Sequence, residues 1–431
     1  MVFQEINWVR SHANKLCPAL RRQILGWYRP TRNTPCFVSK PVRAFKRRWH
    51  KIPVIVQLDE NYIGVLSVQS VAQSAGCKMK RDLRLIDSFS SSVNAQSLQR
   101  LVQKEEVKKV WYDGDVRAVL DVASPTINSD TLWESGYTGK GVTIAVLDTG
   151  VYDHPDLSGR IKAFRDFVKN KDNPYDDNGH GTHVCGCAAA SGETSGNLYK
   201  SPAPEAWIVG VKVLSKVGSG SLSTVIEGVQ WCIDQKERLQ IRIINLSLGS
   251  DAYQSYKDDP VCQAVEKAWH SGIAVLAAAG NSGPEPRTVN SPGISPIIIT
   301  VGAASDRNTA ETDDDSIASF SSRGPTIDDL PKPDVLAPGV NIIALRSPGS
   351  FIDKQNKETR VDQWHTSLSG TSMATPVCAG LAAQLLVMNP ELTPDDLRDL
   401  LMQTARQLNG YGTNDQGSGV VDGQKAMNSL R

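Results

Sequence analysis

The chain has 431 residues, of which 40% are hydrophobic and 22% charged, and its formal net charge at pH 7 is +1. The length suffices for a large core and two or three domains, and the composition is that of an ordinary soluble globular protein. No uninterrupted apolar window is long enough to cross a bilayer, so a membrane-spanning protein is excluded.

The charge is unevenly distributed. Residues 1–51 contain twelve Lys or Arg and one acid, giving +11, so the total of +1 leaves −10 for residues 52–431. We interpret residues 1–51 as a basic N-terminal extension that docks on the acidic body or is solvated; contact with membrane or nucleic acid is the less favoured alternative. No nucleic-acid partner is expected. The N-terminus lacks the unbroken apolar core of a signal peptide, which favours a cytoplasmic location.

Residues 52–121 predict a small α+β domain. The run 52–58 is typical of a strand and 61–76 has helical spacing. Residues 83–93 alternate in part, 94–106 form a helical pattern after the Asn94 cap, and 107–112 and 116–121 are strand-like. The order of strands and helices indicates a compact unit with mixed structure.

After a linker at residues 121–130, short apolar runs rich in Val and Ile alternate with helix-like segments. The runs are VTIAVLD, WIVGVKVL, IRIINLSL, IAVLAAAG and PIIITVG. Continuous apolar strands separated by helices predict an α/β fold with a doubly wound, mostly parallel sheet covered on both faces, spanning residues 122–431. Ligand sites in such sheets lie beyond the carboxyl ends of the strands.

The stretch NGHGTHVCGC, residues 178–187, concentrates two histidines and two cysteines. A zinc site needs three or four convergent ligands, and this spacing does not close around one metal. The eight cysteines of the chain form no C-x-x-C pair, and we interpret them as free, mostly buried thiols.

Four side chains stand at the ends of predicted elements. Asp148 closes the strand VTIAVLD, although a turn or capping role would also explain an aspartate there. His180 falls in the first turn of a helix, whose dipole should keep the imidazole neutral. Ser372 opens a long apolar helix after Gly370, and its N–H together with the Asn281 amide can stabilise a developing oxyanion.

The motifs DTGVYDHPDL, NGHGTHVCG, NLSLGS, AAAGNSG and SGTSMATP resemble those of the subtilisin-like serine proteases, in that family's order, over about residues 125–431. The overall layout most resembles the AprX-type intracellular subtilases of bacilli. The resemblance implies a serine endopeptidase acting on proteins and peptides. It implies that Asp148 orients and stabilises the imidazole, His180 is the general base and then the acid, Ser372 is the nucleophile and Asn281 supports the oxyanion.

The resemblance also implies a substrate cleft in which an extended peptide lies as an added strand. The flanking segments would be Gly218, Ser219 and Gly220 on one side and Ser247, Leu248 and Gly249 on the other. Residues 277–280, including Ala279 and Gly280, would form a small-residue wall that favours a large apolar or aromatic side chain before the cut. Asn290 is expected at the base of that pocket.

The small domain resembles the family's propeptide in element order, and this implies a role in folding and inhibition. No cofactor is required for the chemistry, but a structural calcium ion is left open. Asp156 is one candidate ligand, and Asp172, Asp176 and Asp177 form another set, with a solvated acidic loop as an equally favoured interpretation. The rival functions are a small-molecule esterase or amidase with the same triad, and a catalytically silent binding or chaperone protein.

Overall fold

A computed structural model describes residues 7–28, 46–62, 67–83, 87–113 and 122–431. The chain divides into two compact units, Met1–Val116 and Arg117–Arg431. The strand predicted at 116–121 lies outside the described residues.

The first unit contains a four-stranded antiparallel sheet in the order β2-β3-β1-β4. Its strands are β1 (Ile52–Leu58), β2 (Met79–Leu83), β3 (Ser88–Val93) and β4 (Val107–Tyr112), and its helices are α1 (Asn7–Ser11), α2 (Pro18–Tyr28), α3 (Val68–Ser74) and α4 (Ala95–Gln103), with a 3₁₀ turn at Glu60–Tyr62. The predicted run 83–93 is therefore divided between two paired strands, and the described part of the predicted helix 61–76 begins only after the Ser67 cap.

Part of the predicted basic extension belongs to the core of this unit. Leu20, Ile24 and Trp27 of α2 are fully buried in one cluster with the inward-facing residues of β1. Residues 15–17 also pair with the backbone of β4. The charged residues of this segment thus accompany apolar ones that are needed to cover the sheet.

The second unit is built on an eight-stranded sheet in the order β11-β10-β9-β8-β5-β7-β6, with β12 beside β10. The strands of this unit are β5 (Thr143–Asp148), β6 (Ile161–Asp166), β7 (Trp207–Lys212), β8 (Ile241–Leu246), β9 (Ala274–Ala278), β10 (Ile299–Ser305), β11 (Ser316–Ile317), β12 (Val335–Pro338), and the separate antiparallel pair β13 (Ile342–Leu345) and β14 (His365–Leu368). All pairs in the large sheet are parallel except β10–β11, which confirms the predicted fold class.

Helices cover both faces of this sheet. They are α5 (Ala123–Thr126), α6 (Asp130–Glu134), α7 (His180–Ala189), α8 (Leu222–Asp234), α9 (Lys236–Leu239), α10 (Pro260–His270), α11 (Phe351–Gln355), α12 (Thr371–Met388), α13 (Pro394–Gln403), α14 (Thr413–Gln416) and α15 (Gly423–Leu430), with 3₁₀ turns at Pro155–Leu157, Glu193–Ser195 and Lys357–Thr359. Every residue of β5 is buried. Because successive side chains of a strand point to opposite faces, such a strand must be covered on both.

The predicted linker at 121–130 is folded where it is described. It contains α5 and the start of α6, and Ala123 and Ile127 are buried in the core of the second unit. This stretch is therefore not an extended connection from residue 123 onward.

Helix α12 passes through the core. Among the described residues it is the one helix with the length and apolar character of a membrane span, but most of it is buried inside this unit. An apolar helix without a polar face is typical of a buried core element.

Candidate active site

The carboxyl ends of four adjacent strands bring the predicted site residues to one edge of the sheet. Strand β5 ends at Asp148, β7 leads into residues 213–221, β8 into Ser247, and β9 into Gly280 and Asn281. This is the edge at which parallel sheets bind ligands.

Asp148 and His180 form a buried hydrogen-bonded pair. The Asp148 side chain is fully buried, and its two carboxylate oxygens lie 2.8 and 3.0 Å from Nδ1 of His180. The Thr149 N–H donates to the same carboxylate at 2.7 Å. One carboxylate thus fixes the ring orientation and leaves Nε2 of His180 as the other ring nitrogen available for proton transfer.

The pKa of His180 differs from the expectation based on the helix dipole. His180 is the first residue of α7, as predicted, with Gly179 as the N-cap. Burial lowers its pKa, but the charge and hydrogen bond of Asp148 raise it by more, so the net pKa is above the ordinary value. The neighbouring carboxylate therefore outweighs the burial of the ring.

Asp176 organises the turn that presents α7. Its carboxylate accepts the N–H groups of Asn178, Gly179 and Thr182 at 3.1, 2.8 and 2.8 Å. It also accepts the hydroxyl groups of Thr149 and Thr182 at 2.9 and 2.7 Å. Asp176, considered from sequence as a metal ligand, is thus saturated with donors from the protein.

The other candidate calcium ligands are also engaged elsewhere. Asp156 accepts two backbone N–H groups of the loop that follows α7, at 3.1 and 2.8 Å. Asp177 pairs with Lys169 and Lys212 at 2.8 and 2.9 Å. Asp172 is exposed. Since calcium needs six to eight oxygen ligands, these positions do not fit the ion as they stand.

The remaining residues of NGHGTHVCGC pack behind the site. Nε2 of His183 lies 3.1 Å from the carbonyl oxygens of both Ile342 and Thr366, and burial lowers its pKa to about 3. The Cys187 sulfur lies 3.5 Å from Nδ1 of the same ring. Cys185 is fully buried, and burial raises its thiol pKa well above the usual range. His183 is therefore a neutral core histidine.

The other thiols and possible metal ligands follow the same pattern. Seven cysteines lie in the described residues, and all seven are free thiols. Six of them are buried, and the seventh, Cys77, is partly exposed. Cys36 lies outside those residues. Across the described ranges, no group of three or more His, Cys, Asp or Glu is arranged to hold a metal ion.

Ser372 is held by a reciprocal pair of hydrogen bonds. Its Oγ donates to the Ser247 carbonyl at 3.1 Å, and the Ser247 hydroxyl donates to the Ser372 carbonyl at 2.8 Å. The hydroxyl of Ser372 is thus directed towards Ser247 in this structure.

The Asn281 amide is oriented by Thr371. Its Oδ1 accepts the backbone N–H and the hydroxyl of Thr371 at 2.9 and 3.0 Å. Because a backbone N–H can only donate, the amide atom that faces Thr371 is the oxygen, and Nδ2 of Asn281 is the donor on the other side of the amide. Ser372 follows Thr371 directly, and first-turn N–H groups of a helix have no partner within the helix.

Two adjoining cavities carry the predicted binding residues. The main cleft, of about 490 Å³, is lined by His180, Gly218, Ser219, Gly220, Ser247, Leu248 and Gly249 among others. The side pocket, of about 250 Å³, is lined by Leu248, Gly249, Ala278, Gly280, Asn281, Ser282, Asn290, Thr371 and Ser372. Asn290, expected at the base of the pocket, is one of the residues that line the side pocket.

Ala279 does not line either cavity. It is fully buried, its N–H donates to Val301, and its carbonyl accepts the Asn290 N–H. Ala278 and Gly280 line the side pocket, whereas Ala279 between them is buried away from it, so the expected role of Ala279 in the pocket wall is wrong.

Phe351 and Ile352 also line the main cleft and were not identified from the sequence. They belong to a segment without a recognisable motif. Their proximity to His180 depends on the pairing of β13 with β14, which no local pattern indicated.

Comparison with known proteins gives a consistent result. Residues 139–421 match the model of the Subtilase family. The chain is 45% identical over 436 residues to serine protease AprX of Bacillus subtilis, covering 99% of both chains. It is 33% identical over 401 residues to a thermostable alkaline protease of Halalkalibacterium halodurans, covering 90% of this chain and 95% of that protein.

Solved structures agree with the fold. Sphericase has a TM-score of 0.56 at 31% identity, covering 66% of this chain and 92% of its own. A psychrophilic protease, S41, has the same TM-score at 33% identity, with the same coverage. The family match, the full-length relative and the sheet together establish that the chain belongs to the subtilase family and is a subtilisin-like serine protease, a peptide hydrolase.

Proposed function

We propose that this protease is an endopeptidase that cuts protein substrates through an acyl-enzyme on Ser372. The observation that carries the proposal is that His180, paired with Asp148, lines the main cleft with Ser247, while Ser372 exchanges hydrogen bonds with Ser247 and lines the adjoining side pocket. The end of β5 supplies the carboxylate of Asp148, the start of α7 supplies the imidazole of His180, and the start of α12 supplies the hydroxyl of Ser372.

In the proposed reaction, Nε2 of His180 takes the Ser372 proton while Oγ attacks the peptide carbonyl. The imidazolium then donates that proton to the leaving amine as the C–N bond breaks. A water molecule attacks the acyl-enzyme, again losing a proton to His180, and the acid product leaves while Ser372 regains its proton. Asp148 stays ionised and stabilises the imidazolium throughout.

The oxyanion is assigned to two donors. The Ser372 N–H at the start of α12 and Nδ2 of Asn281 are preorganised, the second by its bonds to Thr371. Such donors lower the barrier because they are already oriented when negative charge develops on the carbonyl oxygen.

The proposed specificity is broad, with a preference for a large apolar residue before the cut. Support comes from the side pocket, in which Gly249, Ala278 and Gly280 leave space and the described lining residues carry no charge. The peptide would lie as an extended strand between 218–220 and 247–249, with main-chain hydrogen bonds giving affinity.

We also propose that the first unit acts as an inhibitor in the manner of a propeptide. Support comes only from the element order β1-α3-β2-β3-α4-β4 of its antiparallel sheet and the two helices between the strands. The segment expected to occupy the cleft, from Val116 to about Pro125, lies mostly outside the described residues. Its described end begins a buried helix at Ala123, so a susceptible extended bond would precede that residue.

Two further proposals concern the environment. A cytoplasmic location is consistent with the free thiols, which are typical of reducing compartments, and cell fractionation would test it.

The proposed steps use only side chains and backbone groups of the chain. The sequence left a structural calcium ion open, and a melting temperature lowered by EDTA would be the evidence for one bound away from the four carboxylates considered above.

Substitution of Ser372 by Ala should abolish casein digestion and fluorophosphonate labelling.

Wild-type protein should cut a peptide library after Phe, Leu, Tyr or Met. A strict preference for Lys, Arg or Asp before the cut would contradict the assigned pocket. Turnover of short esters without casein digestion would favour the esterase alternative.

Substitution of Asp148 by Asn should lower kcat by about 10⁴-fold and shift the acid limb of kcat/KM to lower pH. Activity requires neutral His180 and is lost as pH falls through its raised pKa. Removing the carboxylate leaves burial as the main influence, so the pKa should fall. An acid limb that moves to higher pH would contradict this assignment.

Substitution of Asn281 by Ala should lower kcat by about a hundredfold or more and leave KM nearly unchanged, because the bond forms as charge develops. Steady-state kinetics on one peptide substrate measures both constants. A loss confined to KM would show that Asn281 binds the ground state instead.

Intact-mass measurement on wild-type and Ser372→Ala protein tests the inhibitory role of the first unit. Wild-type protein should cut itself between about Leu120 and Asp130, and the buried helix at Ala123–Thr126 favours a bond on its N-terminal side. The variant should stay whole. The small fragment, added back, should inhibit the large one. If both chains remain uncut while wild type digests casein fully, the first unit is not an inhibitory propeptide.

A further inference from the structure

The connection between β13 and β14, residues 346–364, is long for a hairpin. Leu345 pairs with His365, and this is the antiparallel pair next to the connection. Hairpin loops usually contain about two to five residues, whereas this connection is long enough to include helix α11 and the 3₁₀ turn Lys357–Thr359. We call residues 346–364 the hairpin loop.

The hairpin loop is bonded to the backbone that precedes His180. The Ser347 hydroxyl donates to the Asp176 carbonyl at 2.8 Å. The N–H groups of Phe351 and Ile352 donate to the carbonyls of residues 177 and 178, both at 2.9 Å. Three consecutive carbonyls of the turn before α7 therefore receive donors from this loop.

The approach is close enough to require glycine at the contact. Gly179 has φ of +105°, and a Cβ added there would lie 2.5 Å from Oγ of Ser350 and 3.8 Å from Cβ of Ile352. A larger residue at 179 would be strained and would displace the loop.

A buried charge cluster holds the shape of the loop. Asp353 accepts Nε of Arg346 at 2.5 Å, Nε and Nη2 of Arg360 at 2.6 and 2.8 Å, and the Gly349 N–H at 2.8 Å. One carboxylate thus connects the start, the middle and the return of the loop. Bidentate contacts of this type fix geometry as well as contributing energy.

The return arm has a second attachment. Both carboxylate oxygens of Asp362 lie 3.0 Å from Nδ1 of buried His365. Nε2 of buried His154 lies 3.1 Å from the Trp364 carbonyl. The loop is therefore fixed at both ends, and the residues at its tip have a defined position.

Phe351 and Ile352 are the residues so positioned. Both are partly exposed, and both line the main cleft together with His180 and Asn178. An exposed apolar pair on a firmly held loop beside a reactive group is a suitable contact surface for an apolar side chain.

We propose that Phe351 and Ile352 determine specificity for the substrate residue two positions before the cut. This rests on the proposed peptide-cleaving function. With the residue before the cut in the side pocket, the next side chain of an extended peptide points the opposite way, towards the His180 side of the cleft. There it meets Phe351 and Ile352, which favour an apolar side chain of about leucine size over glycine.

The test compares two peptides of sequence Ala-Ala-X-Phe with a chromogenic leaving group, X being Leu or Gly. Wild type should have the larger kcat/KM for Leu. In the double variant Phe351→Ala, Ile352→Ala the Leu-to-Gly ratio should fall about tenfold or more, mainly through the Leu peptide, since apolar pocket contacts discriminate by about 10- to 200-fold.

The matched control is Lys354→Ala, an exposed residue of the same helix that does not line the cleft. Its Leu-to-Gly ratio should equal that of wild type. Fluorophosphonate titration counts active sites in every variant, so that a misfolded fraction is not read as altered specificity. If the double variant does not label fully, Ile352→Val and Phe351→Leu replace it and should give smaller shifts of the same ratio in the same direction.

An unchanged ratio in fully labelled Phe351 and Ile352 variants would overturn the proposal. So would an equal fall in the Lys354→Ala control. Absence of turnover and labelling in wild type itself would instead contradict the proposed function, and the two failures are thereby distinguishable.

Discussion

The site depends on the buried carboxylate of Asp148. A buried charge is costly unless it is paired and hydrogen-bonded, and this one has the Thr149 N–H and the imidazole of His180. The requirement brings the first turn of α7 directly against the end of β5. A Cβ at Gly181 would lie too close to the Gly150 carbonyl, so this approach needs glycine where the two elements meet.

The same requirement explains the role of Asp176. If α7 must begin at a fixed point, the turn before it needs an internal scaffold. The Asp176 carboxylate accepts five hydrogen bonds: two from N–H groups of that turn, two from Thr182 in α7 and one from Thr149 after β5. The carbonyls of the turn are then bonded from outside by the hairpin loop. The position of the proposed base is thus set by its strand, by its own turn and by a distant loop.

The proposed nucleophile is positioned by a separate set of contacts. Thr371 binds Asn281, and Ser372 exchanges hydrogen bonds with Ser247. These contacts connect the start of α12 to the ends of β8 and β9, and the apolar body of α12 lies buried in the core. Hydrophobic burial thus fixes the helix while short polar contacts fix its first turn.

The sequence by itself determined the sheet, the helices that carry His180 and Ser372, and the four residues proposed for the chemistry. These features leave local patterns: apolar strands of Val and Ile, a glycine before each helix, and motifs in one order. The tertiary structure decided that the charge of Asp148 outweighs burial in setting the pKa of His180, that Ala279 faces away from the pocket, and that residues 7–28 pack with the small sheet. It also decided that Phe351 and Ile352 reach the cleft. Each of these features depends on contacts between residues that are distant in the chain. Such contacts produce no periodicity or spacing in the sequence, so local patterns could not predict them.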